Sequence, residues 1–138
     1  MAQIRAITGI ETVLANLRRR NNALAAGVAR GVRIAGLTLQ RESQRLVPVD
    51  YGVLKASAYT RVTGRGYNTQ ANVGYTAAYA IYVHENLEMR LRGVPRPHPH
   101  RGRYWDPQGR GQSKFLEEPS RRLRPVLRRI ILDNARIR

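Results

Sequence analysis

The chain predicts an α+β fold, a long N-terminal helix packed on a small antiparallel sheet, with a short central helix and a C-terminal helix. Three observations carry this. Residues 23–46 place Leu24, Val28, Val32, Ala35, Leu39 and Leu46 in one stripe at helical spacing, with Arg30, Arg33, Arg41 and Arg45 mostly off it. Residues 58–63 and 70–75 instead alternate and are rich in β-branched and aromatic side chains, and the glycine-rich Gly64-Arg65-Gly66-Tyr67-Asn68 between them reads as a hairpin loop. Past Pro119, the residues Leu123, Val126, Leu127, Ile130 and Ile131 return to helical spacing. At 138 residues the chain is the size of one domain, 1–138, with a modest core.

Taken in order, residues 1–8 alternate loosely and read as a short strand or an arm. Residues 10–20 set Ile10, Val13, Leu14 and Leu17 on one helical face and end in Arg18-Arg19-Arg20, with Asn21-Asn22 as the expected break before the long helix. Within that helix Gly27, Gly31 and Ala35 recur every four residues. Each interior glycine costs roughly 1 kcal/mol, so the spacing predicts a groove where another backbone comes close. The helix ends by Val47, because Pro48 disfavours helical geometry in the residue before it. Asp50-Tyr51-Gly52 forms a turn and residues 53–57 one helical turn. The hairpin is marginal alone and needs a cover, which the long helix supplies. Residues 73–89 run from a strand end into a short helix carrying Tyr79, Tyr82, Val83 and Asn86 at three- and four-residue spacings, with His84, Glu85 and Glu88 at its polar end. Residues 90–113 hold four of the seven prolines and form a basic Pro/Gly-rich loop. The last helix opens at Pro119, with Glu117 and Glu118 at its positive end. Pro125 is discordant inside it, so a kink there, or a start near Arg124, is expected.

Charge is the loudest feature of the composition. The net charge is +16, and of the 25 lysines and arginines only Lys55 and Lys114 are lysines, leaving 23 arginines. Guanidinium suits bidentate contact with phosphate and carboxylate, so a polyanion or an acidic partner is implied, against the plainer alternative of a solvated basic surface. There is no cysteine, so neither disulfides nor thiolate metal sites hold the fold. The first residues lack the apolar run of a signal peptide, and no segment approaches the roughly 18 apolar residues of a membrane span, so no membrane partner is expected.

The residues offer little for catalysis. His84, His98 and His100 are the only histidines, and His98-Pro99-His100 has no carboxylate or third histidine at a metal-binding spacing. Adjacent helical residues such as His84 and Glu85 point about 100° apart and do not easily share one substrate atom. No phosphate loop, dinucleotide turn or nucleophile elbow is present. The expectation is therefore no enzyme, no metal and no cofactor. Glu85 reads as an exposed acid facing a neighbour's arginine. Arg96, Arg101, Arg103, Tyr104, Trp105 and Arg110 in the basic loop are candidate contacts to DNA or to a partner, since arginines and aromatics together grip phosphates and stack on bases.

Three blocks, in this order, carry a resemblance. These are Val47-Pro48-Val49-Asp50-Tyr51-Gly52-Val53-Leu54 after a long helix, Tyr79-Ala80-Ile81-Tyr82-Val83-His84-Glu85 after a strand pair, and Lys114-Phe115-Leu116-Glu117-Glu118-Pro119 leading into a last helix. Together they resemble the neck, or tail-completion, family of tailed bacteriophages, which joins head to tail, over about residues 22–135. The resemblance implies a structural virion protein of the head-to-tail connector. It would form a ring of six or twelve copies between the portal or adaptor and the tail terminator or tail tube, and line the DNA channel with non-specific phosphate contacts. It implies assembly in the host cytoplasm and residence at the head-to-tail junction. It also implies a subunit interface formed by Asp50, Gly52, Leu54, Tyr79, Tyr82, Val83, Glu85, Phe115 and Leu116. The family's usual acidic-glycine ending of the central motif is here Glu85-Asn86-Leu87-Glu88, and the long basic loop is an extension. The alternative reading is a monomeric arginine-rich nucleic-acid-binding protein of ribosomal or nucleoid type, suggested by the charge and the loop. A small nuclease or toxin would rest on charge and histidines alone.

Overall fold

The structure, a computed structural model, describes residues 9–49, 51–88 and 111–136. The strand or arm expected at residues 1–8, Asp50, and the basic loop up to residue 110 lie outside the described residues. What is described is the expected α+β arrangement. It comprises helix α1 (Ile10–Leu46), the single turn α2 (Val53–Ala56), strands β1 (Ala58–Thr63) and β2 (Gln70–Tyr75), the short helix α3 (Ala80–Glu85), and helices α4 (Glu117–Arg122) and α5 (Arg124–Ala135).

Helix α1 is continuous for 37 residues, about 55 Å at 1.5 Å per residue, and the break expected at Asn21-Asn22 does not occur. Asparagine is only a modestly poor helix former, and Asn21 is engaged from outside. Tyr67, from a 3-10 turn in the hairpin loop (Gly66–Asn68), donates its hydroxyl hydrogen to Asn21 Oδ1 at 2.7 Å. The side chain that would compete with the helix backbone is thus occupied elsewhere. At its other end the helix stops where Pro48 requires. Val47 turns extended while its N–H still reaches Ser43 O at 3.1 Å.

The two strands pair antiparallel from Ala58 opposite Tyr75 to Thr63 opposite Gln70. Ala58, Thr60 and Val62 on β1, with Ala71 and Val73 on β2, occupy the more buried face. These are small residues, so the sheet comes close to α1. A Cβ added to Gly36 would lie 2.8 Å from Ala71 Cβ and 3.0 Å from Thr60 Cγ2. Thr60 Oγ1 donates to Gln40 Oε1 at 2.6 Å, and Gln44 Nε2 donates to the Lys55 carbonyl at 2.9 Å, which ties α1 to both β1 and α2.

Helix α5 crosses α1 at the glycine groove. A Cβ on Gly27 would stand 2.3 Å from Asn134 O, and one on Gly31 would stand 2.7 Å from Ile131 Cα, so backbone meets backbone at both. The expected close approach is therefore present at Gly27 and Gly31, while Gly36, which the four-residue pattern does not reach, serves the sheet. The stripe Leu24, Val28, Val32, Ala35, Leu39 and Leu46 is buried or half-buried between these partners. Beyond Phe115 the chain forms two helices meeting at Leu123, and the second starts at Arg124, where Pro125 led us to expect a start or a kink. The prolines explain the division. Pro119 and Pro125 each fall in a first turn, where a helix needs no N–H from them, and neither interrupts a hydrogen-bonded interior.

Gly27→Ala adds a methyl where a backbone oxygen already stands, so α5 must shift away from α1. We expect a loss of about 1–3 kcal/mol, against the roughly 1 kcal/mol that alanine gains in an open helix, read from urea denaturation.

Candidate subunit interface

The three sequence blocks that carry the resemblance meet around one side chain. Phe115 is 1 % exposed and forms the core with Val47 and Leu54. Leu46, Tyr75, Ala77, Ala80, Val83 and Leu116 pack against that cluster. Tyr75 and His84 each present a ring edge to Phe115, at centroid separations of 5.1 and 5.0 Å. The Tyr75 hydroxyl shares a 2.7 Å hydrogen bond with that of Ser43, which is completely buried. Burial pushes the phenol above its ordinary value, and the Ser43 hydrogen bond partly offsets this.

Phe115 arrives on a segment stitched in by its backbone. Gln112 N donates to Leu46 O at 2.9 Å, and Lys114 N donates to His84 O at 2.8 Å. Lys114 takes φ 54°, a left-handed conformation uncommon for a residue with a Cβ, and its contacts hold it there. Its ammonium pairs with Glu85, and with Glu117 at 3.3 Å. Glu85 Oε1 also accepts from His84 Nδ1 at 2.8 Å. The neighbouring His84 and Glu85 side chains do converge, on each other, and Glu85 is held by a lysine of its own chain. The Lys114 ammonium, then the His84 hydrogen bond, hold the Glu85 carboxyl below its ordinary value of 4.5. Glu85 in turn raises Lys114 above 10.5.

The residues that the resemblance implies for the interface therefore divide. Leu54 and Phe115 are buried in their own subunit, and Val83 and Leu116 are half-buried against the same core. Their apolar groups meet their own chain, and what they contribute to an outer surface is its shape. Gly52 takes φ 80° at the start of α2, as the expected turn requires. Tyr79 and Tyr82 do face outward, Tyr82 with 77 % of its surface exposed. Ile81 and Leu87 are exposed beside them in the chain, as are Tyr51 and Val53 on either side of Gly52, and sequence spacing alone did not single these out. Asp50 and the loop residues Arg96, Arg101, Arg103, Tyr104, Trp105 and Arg110 lie outside the described residues.

A second exposed apolar surface lies on α1. Ile10, Val13, Leu14 and Leu17 are 45–58 % exposed. Ile10 and Leu17 lead to Leu24 in seven-residue steps, with Val13 and Leu14 beside them, so among the described residues the stripe that receives the sheet and α5 continues uncovered for about three further turns. Among the described residues no group of three histidines, cysteines or acids is placed to hold a metal ion, and no helix is long and apolar enough to cross a membrane. Compared with family models, with curated proteins and with solved structures, the chain matches none.

Because Glu85 titrates lower in the folded chain, its contribution to stability is in place above the ordinary carboxylate range. That contribution disappears as pH falls through the lowered value. Glu85→Gln should melt below wild type at neutral pH and converge with it in acid, in thermal melts across an acid series. Phe115→Ala should cost about 3–5 kcal/mol in denaturant unfolding, as expected for truncating a fully buried aromatic ring.

Proposed function

We propose that this chain is a ring-forming structural protein of the neck of a phage or phage-like particle, seated between the portal or adaptor and the tail, with DNA passing through its lumen. The observation that carries the reading is the α1 stripe. A helix with one continuous apolar face, covered over its C-terminal two-thirds and left bare over residues 10–20 by the described residues, offers a surface that a second copy can cover. The outward residues of α3 supply a different apolar surface on the same subunit, with the exposed Glu88 beside it, while Arg18-Arg19-Arg20 flank the bare stripe. Two unlike surfaces of opposite charge bias suit a heterologous contact between copies, and heterologous contacts that close make rings. The ordered sequence blocks support the same reading, since all three are spent on the core that presents α3. Opposed charges at the contact would also offset part of the repulsion among copies that each carry +16.

Native mass spectrometry tests this directly, at moderate and high salt, alone and with adaptor or tail partners. A closed oligomer of six or twelve copies is expected. Leu14→Glu with Leu17→Glu should reduce it to monomer while far-ultraviolet circular dichroism stays close to wild type, because both side chains are exposed in the subunit. A monomer in every condition, with tight salt-sensitive nucleic-acid binding, would replace this reading by that of a monomeric nucleic-acid-binding protein.

A further inference from the structure

Arginines also gather within the described residues. An open cleft of about 320 Å³ lies between the middle of α1 and the hairpin, lined by Arg30, Arg33, Arg65, Val62, Gly64 and Thr69. We propose that this cleft is a phosphate-binding site, and that its ligand is the sugar-phosphate backbone of a nucleic acid.

Three features of the cleft lead there. First, its charge is uncompensated. The acids of the described residues that form ion pairs do so with Arg45, Lys114, Arg121, Arg122, Arg136 and His84, and none pairs with an arginine of the cleft. Second, one guanidinium is already positioned. Arg30 Nε donates to Asn134 Oδ1 at 3.3 Å and its Nη2 donates to Asn134 O at 3.5 Å, which fixes the group with a neutral partner and leaves its charge free to act. Arg33 and Arg65 have no such partner among the described residues, and they face the same space from a helix and from the hairpin loop. Three exposed cations gathered around one concavity, none paired with an acid among the described residues, attract an anion, and guanidinium forks match phosphate oxygens in pairs.

Third, the basic surface extends beyond the cleft along one line. At 100° per residue, Arg19, Arg30 and Arg41 recur every eleven residues and fall within about 40° of one another, on the face of α1 turned away from its buried stripe, and Arg33 lies beside them. The outer two are about 33 Å apart along the axis, close to one turn of a DNA duplex. A small anion has no use for such a row, whereas a phosphate backbone meets it as a ridge meets a groove. The choice of nucleic acid as ligand agrees with the neck reading, but the site's affinity for it does not depend on ring formation.

The test compares two double variants that remove the same charge. Arg33→Gln with Arg65→Gln empties the cleft, and Arg128→Gln with Arg129→Gln removes two exposed arginines from α5. Each is titrated against a short fluorescein-labelled DNA duplex by anisotropy over a salt series. The cleft variant should weaken binding by about tenfold or more and lower the slope of log K against log salt by about 2, near 0.9 per phosphate contact. The α5 variant should weaken it by less than about threefold and keep the slope. Equal losses in the two variants, or none in either, would overturn the site in favour of a diffuse field. Displacement of the duplex by inorganic phosphate at constant ionic strength, to the same extent from wild type and the α5 variant but not from the cleft variant, would make the ligand a free anion and overturn the nucleic-acid assignment. Native mass spectra of the same samples separate the two ideas. Loss of the oligomer from wild type with duplex binding intact removes the ring and leaves the cleft.

Discussion

Much of the molecule depends on where Phe115 is placed. Few side chains are deeply buried in this small chain, and Phe115 is the largest of them. It reaches its site from a segment far away in sequence from the Val47 and Leu54 that it touches. The hydrogen bonds of Gln112 to Leu46 and of Lys114 to His84 work as two guides that fix the approach of that segment, and the ion pairs of Lys114 hold its backbone in a conformation it would otherwise avoid. Without this plug, the turn after α1, the end of β2 and the inner side of α3 would share no common neighbour.

The second organising constraint is closeness. Glycines on α1 let two partners approach on different sides, the backbone of α5 at Gly27 and Gly31 and the sheet at Gly36. The wedge between those partners contains the medium-sized stripe residues, and this leaves the opposite face of the helix to arginines. Burial on one side and charge on the other thus follow from the same helical periodicity. The arrangement gives a thin core among the described residues, with apolar and charged surface on separate faces of α1.

Much of this could be read from residue order because the signals were local. The strand limits follow from alternation bounded by glycine, the end of α1 from Pro48, and the glycine groove from its four-residue repeat. What was missed involves partners distant in the chain. Asn21-Asn22 looks like a stop until Tyr67 occupies Asn21. Glu85 looks free until Lys114 arrives 29 residues later. Leu54 and Phe115 read as interface residues in the linear order, and only the fold shows that both are buried in the core of their own chain. The cleft arginines were visible as residues lying off the stripe, but nothing in the linear order tells that Arg65 comes back to Arg30 and Arg33.

The uncovered end of α1 also bears on the lifetime of a single copy. A helical stretch of about three turns without tertiary cover is marginal in water, and here it holds only because it extends a helix nucleated and packed further along. It therefore opens and closes far more often than the packed part, and each opening presents Arg18-Arg19-Arg20 in extended form to any protease that cuts after arginine. In the ring proposed above, a copy with neighbours would hide this segment, and one without them would leave it open to cleavage. The same three turns that hold copies together would then also keep count of those left over.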